Sequence, residues 1–309
     1  MDSVSELIAR LRGIPSDRNP VAYHTALAKA YSRLSHHEES MASVERALEH
    51  EPSAAEPNLV AARLYLDGGE FERAEAACRR ALEGDPDSIA ALYLLASSLV
   101  GSNRPLEAIE VYRSAARANP QVLILHVLLA NLYATLGRNE DAIASLQAVL
   151  RLDPHSPIAR LRLGDIHVGR GEYQCALQEF KAALEIEPRF TPALMRTADV
   201  LLHLGSYEEA LPVLRRLLEI SDGSPRGRCM LGQALLALGR CEESIDCFQQ
   251  ALGTAPFLIE ASLGLGKACL NVGRRDDGIR RLRDVLRIHS DHPDATRILS
   301  GLGERPDAS

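Results

Sequence analysis

Apolar residues recur along the chain at helical spacing, three and four apart, in short blocks separated by turn-forming residues. The blocks themselves repeat. Prolines stand at Pro52, Pro86, Pro120, Pro154 and Pro188, each 34 residues after the last; two further steps reach Pro256, with Asp222 at the skipped position. On that frame residues 21–292 divide into eight units: 21–54, 55–88, 89–122, 123–156, 157–190, 191–224, 225–258 and 259–292. The eighth residue of each unit is small: Ala28, Ala62, Ala96, Ala130, Gly164, Ala198, Gly232, Gly266. The fifteenth is Gly except at Ser35 and Asn103, and the twentieth is Ser, Ala or Gly. The twenty-fourth is larger: Val44, Cys78, Tyr112, Leu146, Phe180, Leu214, Phe248, Leu282. The twenty-eighth is Leu in every unit except at Ala116.

These columns predict two antiparallel helices per unit. Gly accepts positive φ and ends the first helix. The small columns let the two helices approach, and the large column fills the space opposite. The Pro ends the second helix and opens the next turn. One such pair cannot bury its own apolar face, whereas a stack of them can. The expected fold is therefore all-α.

In the fifth unit the order Leu163-Gly164, Gly171, Tyr173, Ala176, Phe180, Ala183, Pro188 resembles the tetratricopeptide repeat (TPR) family. The resemblance spans all eight units. It implies a right-handed superhelical solenoid of helix-turn-helix repeats with terminal capping helices. One family feature is missing: the early aromatic of the first helix is replaced by His24, Asn58, Leu92, His126, Arg160, Leu194, Arg228 and Ser262. Residues 1–20 are expected to cap the first repeat with an amphipathic helix bearing Val4, Leu7, Ile8 and Leu11 on one face, the alternative being a docking or dimer-forming arm. Residues 293–302 are expected to cap the last repeat, and 303–309 to form a disordered tail. The sixth unit is irregular. Pro212 falls inside its second helix, and Asp222-Gly223-Ser224-Pro225 replaces the usual junction. That pattern predicts a kink and a softer seam near 221–227, or a tolerated irregularity.

Charge narrows the function classes. With 35 Lys and Arg against 42 Asp and Glu, the net charge of −7 argues against a nucleic-acid binder. Residues 225–309 carry a net charge of +1, and the last unit is locally basic, with Arg274, Arg275, Arg280, Arg281, Arg283 and Arg287 interspersed with Asp276, Asp277 and Asp284. This reads as a solvated face, or as a dock for an acidic partner. No apolar run is long enough to insert in a membrane, and no secretory signal opens the chain. Six scattered cysteines suggest reduced thiols and a cytoplasmic protein.

No catalytic constellation is present, and neither a cofactor nor a metal is expected. Gly264-Leu265-Gly266-Lys267 is an incomplete phosphate loop and reads as helix packing. His36-His37, beside Glu38 and Glu39, offers metal-ligand types but falls at an interhelix turn; the same holds for His289 and His292. The expectation is thus a non-enzymatic scaffold or adaptor that holds a peptide or partner protein. The alternative, a regulatory or substrate-targeting subunit of an enzyme complex, would co-purify with a stoichiometric enzyme.

The resemblance also implies where a partner binds: the concave groove lined by first helices, mainly through the second, fifth, ninth, twelfth and thirteenth residues of each unit. In the fifth column these are Leu59, Tyr93, Val127, Leu161 and Met195, an apolar row that otherwise packs against neighbouring helices. In the ninth they are Lys29, Arg63, Ser97, Asn131, Asp165, Asp199, Gln233 and Lys267, a polar row changing sign along the chain. An apolar row beside a polar one suits a peptide, with anchors for affinity and polar groups for register. Arg162, Arg196 and His203 make the stretch around repeats five and six denser. The two arginines are expected either to fork onto a carboxylate or phosphate, or to pair locally as Arg162–Asp165 and Arg196–Asp199. The Lys/Asn clamp of TPR co-chaperones is absent: its places hold Thr25, Lys29, Val60, Ala90 and Leu94.

Overall fold

The computed structural model describes residues 19–304. Among these the chain forms seventeen α-helices and no strand. They fall into two units. The first, ending at Leu152, holds α1 (Pro20–Arg33), α2 (His37–His50), α3 (Ala55–Asp67), α4 (Phe71–Gly84), α5 (Ile89–Gly101), α6 (Pro105–Ala118), α7 (Leu123–Thr135) and α8 (Asn139–Leu152). The second, from Asp153, holds α9 (Pro157–Gly169), α10 (Tyr173–Ile186), α11 (Thr191–His203), α12 (Tyr207–Ile220), α13 (Pro225–Ala237), α14 (Cys241–Thr254), α15 (Ile259–Asn271), α16 (Arg275–Ile288) and α17 (Pro293–Gly301).

The turn that ends each odd-numbered helix is set by one backbone position. Gly69, Gly137, Gly171, Gly205, Gly239 and Gly273 all have φ between 71° and 81°. Ser35 and Asn103 adopt the same conformation at 60° and 59°. The residue after each then closes the turn, as Glu70 N does on Tyr65 O at 2.8 Å. Asparagine or serine caps start several odd-numbered helices: Asn19 Oδ1 accepts from Ala22 N at 3.0 Å, and Ser224 Oγ from Gly227 N at 3.1 Å.

The core follows the small and large columns. Ala28, Ala62 and Ala198 are fully buried, opposite the fully buried Leu146, Phe180, Leu214, Phe248 and Leu282 column. Where that column supplies Phe, its partner is Gly: a Cβ on Gly164 would collide with the Phe180 ring, and one on Gly232 would sit 2.8 Å from Phe248. The column of Leu at the twenty-eighth place is not the deepest. Ala47, Ala81, Ala183, Leu217, Ala251 and Val285, one residue earlier, are all completely buried. Leu48, Leu82, Leu184 and Leu218 are only half-buried.

The missing early aromatic is replaced by polar anchors that reach back six residues. Asn58 Nδ2 donates to Pro52 O at 2.8 Å, the His126 ring meets Pro120 O at 3.2 Å, and Arg228 holds Asp222 at 2.8 Å. The last pair explains the irregular junction. Helix α12 runs unbroken through Pro212, which faces solvent. The connection to α13 carries the same hydrogen bond as its counterparts: Ser224 N donates to Ser221 O at 3.0 Å, as Ser88 N does to Asp85 O at 3.2 Å. Asp222 thus replaces Pro by gaining a side-chain partner.

At the C-terminal end Ala295 and Leu299 of α17 are buried against Ile279, Leu282, Val285 and Leu286 of α16. Of the expected tail, Gly303 and Glu304 are described; Glu304 receives Arg283 at 2.9 Å. The remainder of the tail, and the expected N-terminal capping helix up to residue 18, lie outside the described residues.

Candidate functional site

Within each unit successive odd-numbered helices touch one another (α1 with α3, α3 with α5; α9 with α11, α11 with α13, α13 with α15), whereas even-numbered ones show no comparable approach. The odd-numbered helices thus form one side of each stack; α5 and α7 approach less closely than the pairs named. The fifth, ninth and twelfth residues of a helical repeat share one face, so the expected contact columns line that side, the inner one of the expected groove.

The fifth column divides. Val127 and Leu161 are 7% and 6% exposed and belong to the core, so they are not available to a partner. Met195 packs against the core of the second unit, and Leu59 is half-buried. Tyr93 stands out at 46% exposed. The ninth column has a structural role that its spacing did not reveal. Lys29 reaches Glu56 on the next odd-numbered helix at 2.8 Å, and Lys267 reaches Asp294 at 2.8 Å. Asp165 receives Arg196 at 2.9 Å and Arg162 at 3.3 Å; Asp199 receives Arg226 at 3.0 Å. The expected Arg196–Asp199 pair is therefore replaced: each acid is gripped by an arginine of the following helix. Its changing sign is that of ion pairs linking one first helix to the next. His203 packs against Tyr173 with the rings tilted by 47° and their centroids 4.5 Å apart.

The inner faces of the two units differ as a result. That of the second carries a ladder of ion pairs, with Gln233 and, at its start, Ile158 exposed beside it. That of the first is neutral across α5 and α7. Tyr93, Val100 and Ile124 are 46%, 38% and 45% exposed. In the ninth column of the same two helices stand Ser97, whose hydroxyl donates to Tyr93 O at 2.9 Å, and Asn131, whose amide has no hydrogen-bond partner among the described residues. Exposed Arg63 on α3 likewise has no ion-pair partner among them.

The remaining chemical candidates resolve into structure. Gly264 and Gly266 are buried inside α15, where a Cβ on Gly266 would meet Leu282 at 3.1 Å. The C-terminal arginines are engaged: Arg274 with Glu242 at 3.0 Å, Arg275 with Leu302 O at 2.6 Å, Arg280 with Asp277 at 2.8 Å. His36 contacts Glu39 at 3.6 Å, and His292 caps α17 through Ala295 N at 3.5 Å. All six cysteines are free thiols, and burial pushes those of Cys78 and Cys229 up to about 12. One cluster escaped the sequence reading altogether: His167, Glu172 and Cys175 meet across the α9–α10 turn.

A family profile described as tetratricopeptide repeat matches residues 25–89, 59–123, 93–157, 127–190, 161–225 and 229–271. The chain belongs to the tetratricopeptide repeat family. This is a family of protein-interaction scaffolds, and no helix of this TPR protein's described residues is long and apolar enough to cross a membrane. No curated protein matches the chain. Among solved structures it is similar to YrrB, "a TPR protein with an unusual peptide-binding site", at 24% identity and TM-score 0.55 over 62% of this chain and all of that one. It is similar to MamA from Desulfovibrio magneticus RS-1 at 23% and 0.52, over 55% and 97% of the two chains. It is also similar to a chain of the APC/C hetero-tetramer Cut9–Hcn1 at 16% and 0.58, covering 97% of this chain and 59% of that one. At these identities the likeness is one of fold.

Proposed function

We propose that this TPR protein is a non-enzymatic cytoplasmic adaptor whose first unit receives an uncharged, apolar stretch of a peptide or partner protein on the inner face of α5 and α7. The observation behind this reading is the exposed group Tyr93, Val100 and Ile124, with Ser97 and Asn131 on the same two helices. Apolar side chains there supply affinity, and the Asn131 amide offers a donor and an acceptor to a peptide backbone. Binding at this place breaks no ion pair. On the second unit a partner would have to displace arginines already held by carboxylates, at the cost of leaving charges unpaired. Free thiols suit a reducing compartment, and the acidic balance of −7 disfavours nucleic acid.

Affinity purification of the full chain with mass spectrometry identifies the partner, and the variants then test the site. Ile124→Asp with Tyr93→Ala is expected to weaken binding by more than about tenfold, roughly the 1–3 kcal/mol of a buried apolar anchor. Arg162→Ala with Arg196→Ala is expected to leave affinity within about twofold, since these side chains serve Asp165. The opposite ranking would move the site to the second unit and overturn the reading.

A further inference from the structure

The turn between α9 and α10 brings an acid back onto the helix that precedes it. In several pairs the residue before the second helix forms an ion pair with one three residues on: Arg104–Glu107 at 2.6 Å, Arg138–Asp141 at 2.7 Å, Arg240–Glu243 at 2.6 Å. Between α9 and α10 those positions hold Glu172 and Cys175, which form no such pair. Glu172 turns back to α9 instead. Its Oε2 lies 2.6 Å from His167 Nδ1, while its Oε1 receives Arg170 Nε at 2.9 Å. The backbone fixes this arrangement: Glu172 N donates to His167 O at 2.9 Å, and Gly171 at φ 74° donates to Val168 O at 2.9 Å. A ring nitrogen of His167, a carboxylate oxygen of Glu172 and Sγ of Cys175 consequently lie within 4.8 Å of one another. Among the described residues no other trio of metal-ligand side chains meets this closely.

We propose that the α9–α10 turn binds a zinc ion through His167, Glu172 and Cys175, with water as fourth ligand. One nitrogen, one oxygen and one sulfur donor form a set for a borderline divalent ion rather than for magnesium or calcium. Bond lengths of about 2.0–2.3 Å in a tetrahedron place donors about 3–4 Å apart. Reaching that range takes two adjustments: the exposed Cys175 turns inward, and the 2.6 Å contact between His167 Nδ1 and Glu172 Oε2 opens to make room for the ion. On binding, the thiol releases its proton to solvent. Coordination replaces the hydrogen bond between the His167 ring and Glu172, with any proton between them passing to solvent. Arg170 stays on Oε1 as the outer partner that orients the ligating carboxylate. The bound ion ties the end of α9 to the start of α10. This site is independent of the proposed partner surface on the first unit.

The test uses the full, metal-free chain titrated with cobalt(II), then with zinc. Expected are saturation at one equivalent, a thiolate-to-cobalt charge-transfer absorption, and displacement of cobalt by zinc. Cys175→Ser is expected to abolish that absorption and, against a chromogenic chelator, to raise the zinc Kd by more than about tenfold. Cys241→Ser, which removes a thiol elsewhere in the unit, is expected to change neither. Zinc should raise the Tm of the parent chain and not that of His167→Ala. Circular dichroism checks that both site variants keep their helices. Absence of the charge-transfer band, or a band that survives Cys175→Ser, overturns the proposal.

Discussion

Two glycines in this chain are required for different reasons, and substitution separates them. Gly137 holds φ at 71° with nothing within 4 Å of a would-be Cβ, so Gly137→Ala costs only the conformational penalty, about 1–2 kcal/mol. Gly164 is helical, and its missing Cβ makes room for the Phe180 ring. Gly164→Ala is an overpacking substitution, expected to cost about 1–3 kcal/mol, and Phe180→Leu in the same chain should recover part of it. Ser35 is the converse. It adopts the left-handed conformation at φ 60° with a side chain attached, so Ser35→Gly is expected to stabilise by about 1 kcal/mol. Urea unfolding of the four variants checks all three statements. The columns revealed that these positions are special. They did not distinguish a glycine kept for its backbone from one kept for a neighbour, because that depends on which ring lies opposite.

Helices and turns were legible because their signals are local. A Gly, or Asn103, at the fifteenth place and a Pro or its substitute near the thirty-second bracket every pair from α3 to α16. Packing depth was less legible. The Leu column looks the more hydrophobic, yet Ala183 and Ala251 one residue earlier are the completely buried ones. Leucine's bulk fits the flank of a helix contact, while a small residue fits its centre. The partner surface was legible least. Lys29, Asp165, Asp199 and Lys267 look free in sequence, because the residues that hold them lie about one repeat ahead, at Glu56, Arg196, Arg226 and Asp294. The His167–Glu172–Cys175 cluster was hidden for a related reason: its spacing matches no familiar ligand pattern until the turn folds it together. Pro212 supplies the prediction at this scale. It lies on the solvent side of α12, where it removes a backbone donor and contributes no core packing. Pro212→Ala is therefore expected to stabilise the chain by about 1–3 kcal/mol. An unchanged or lower midpoint in thermal unfolding would mean that this helix depends on the proline ring.

Stacked pairs transmit stability only to their neighbours, so the ends of the chain govern how unfolding begins. The C-terminal end is held by two kinds of contact. Ala295 and Leu299 cover the apolar face of α16, and Lys267 of α15 holds Asp294 of α17 at 2.8 Å. The Lys267 hydrogen bond and charge keep the Asp294 carboxyl below the ordinary aspartate range, with Arg297 adding to the effect. A carboxyl whose folded pKa is lowered favours the folded state above its unfolded value, near 3.9 for aspartate, and loses that contribution as pH falls through the lower folded value. Both side chains are more than a third exposed, so the contribution is modest and screened by salt. Acidification below about pH 4 is thus expected to loosen α17 before the interior pairs, and to expose Leu282 and Leu286 as it leaves. Hydrogen exchange across that pH range should show protection falling first in residues 293–301. Asp294→Asn should bring the same loosening to neutral pH and remove most of its acid dependence. Protection in α17 that holds through acidification while α13 to α16 open would show that apolar packing, and not this ion pair, keeps the end closed.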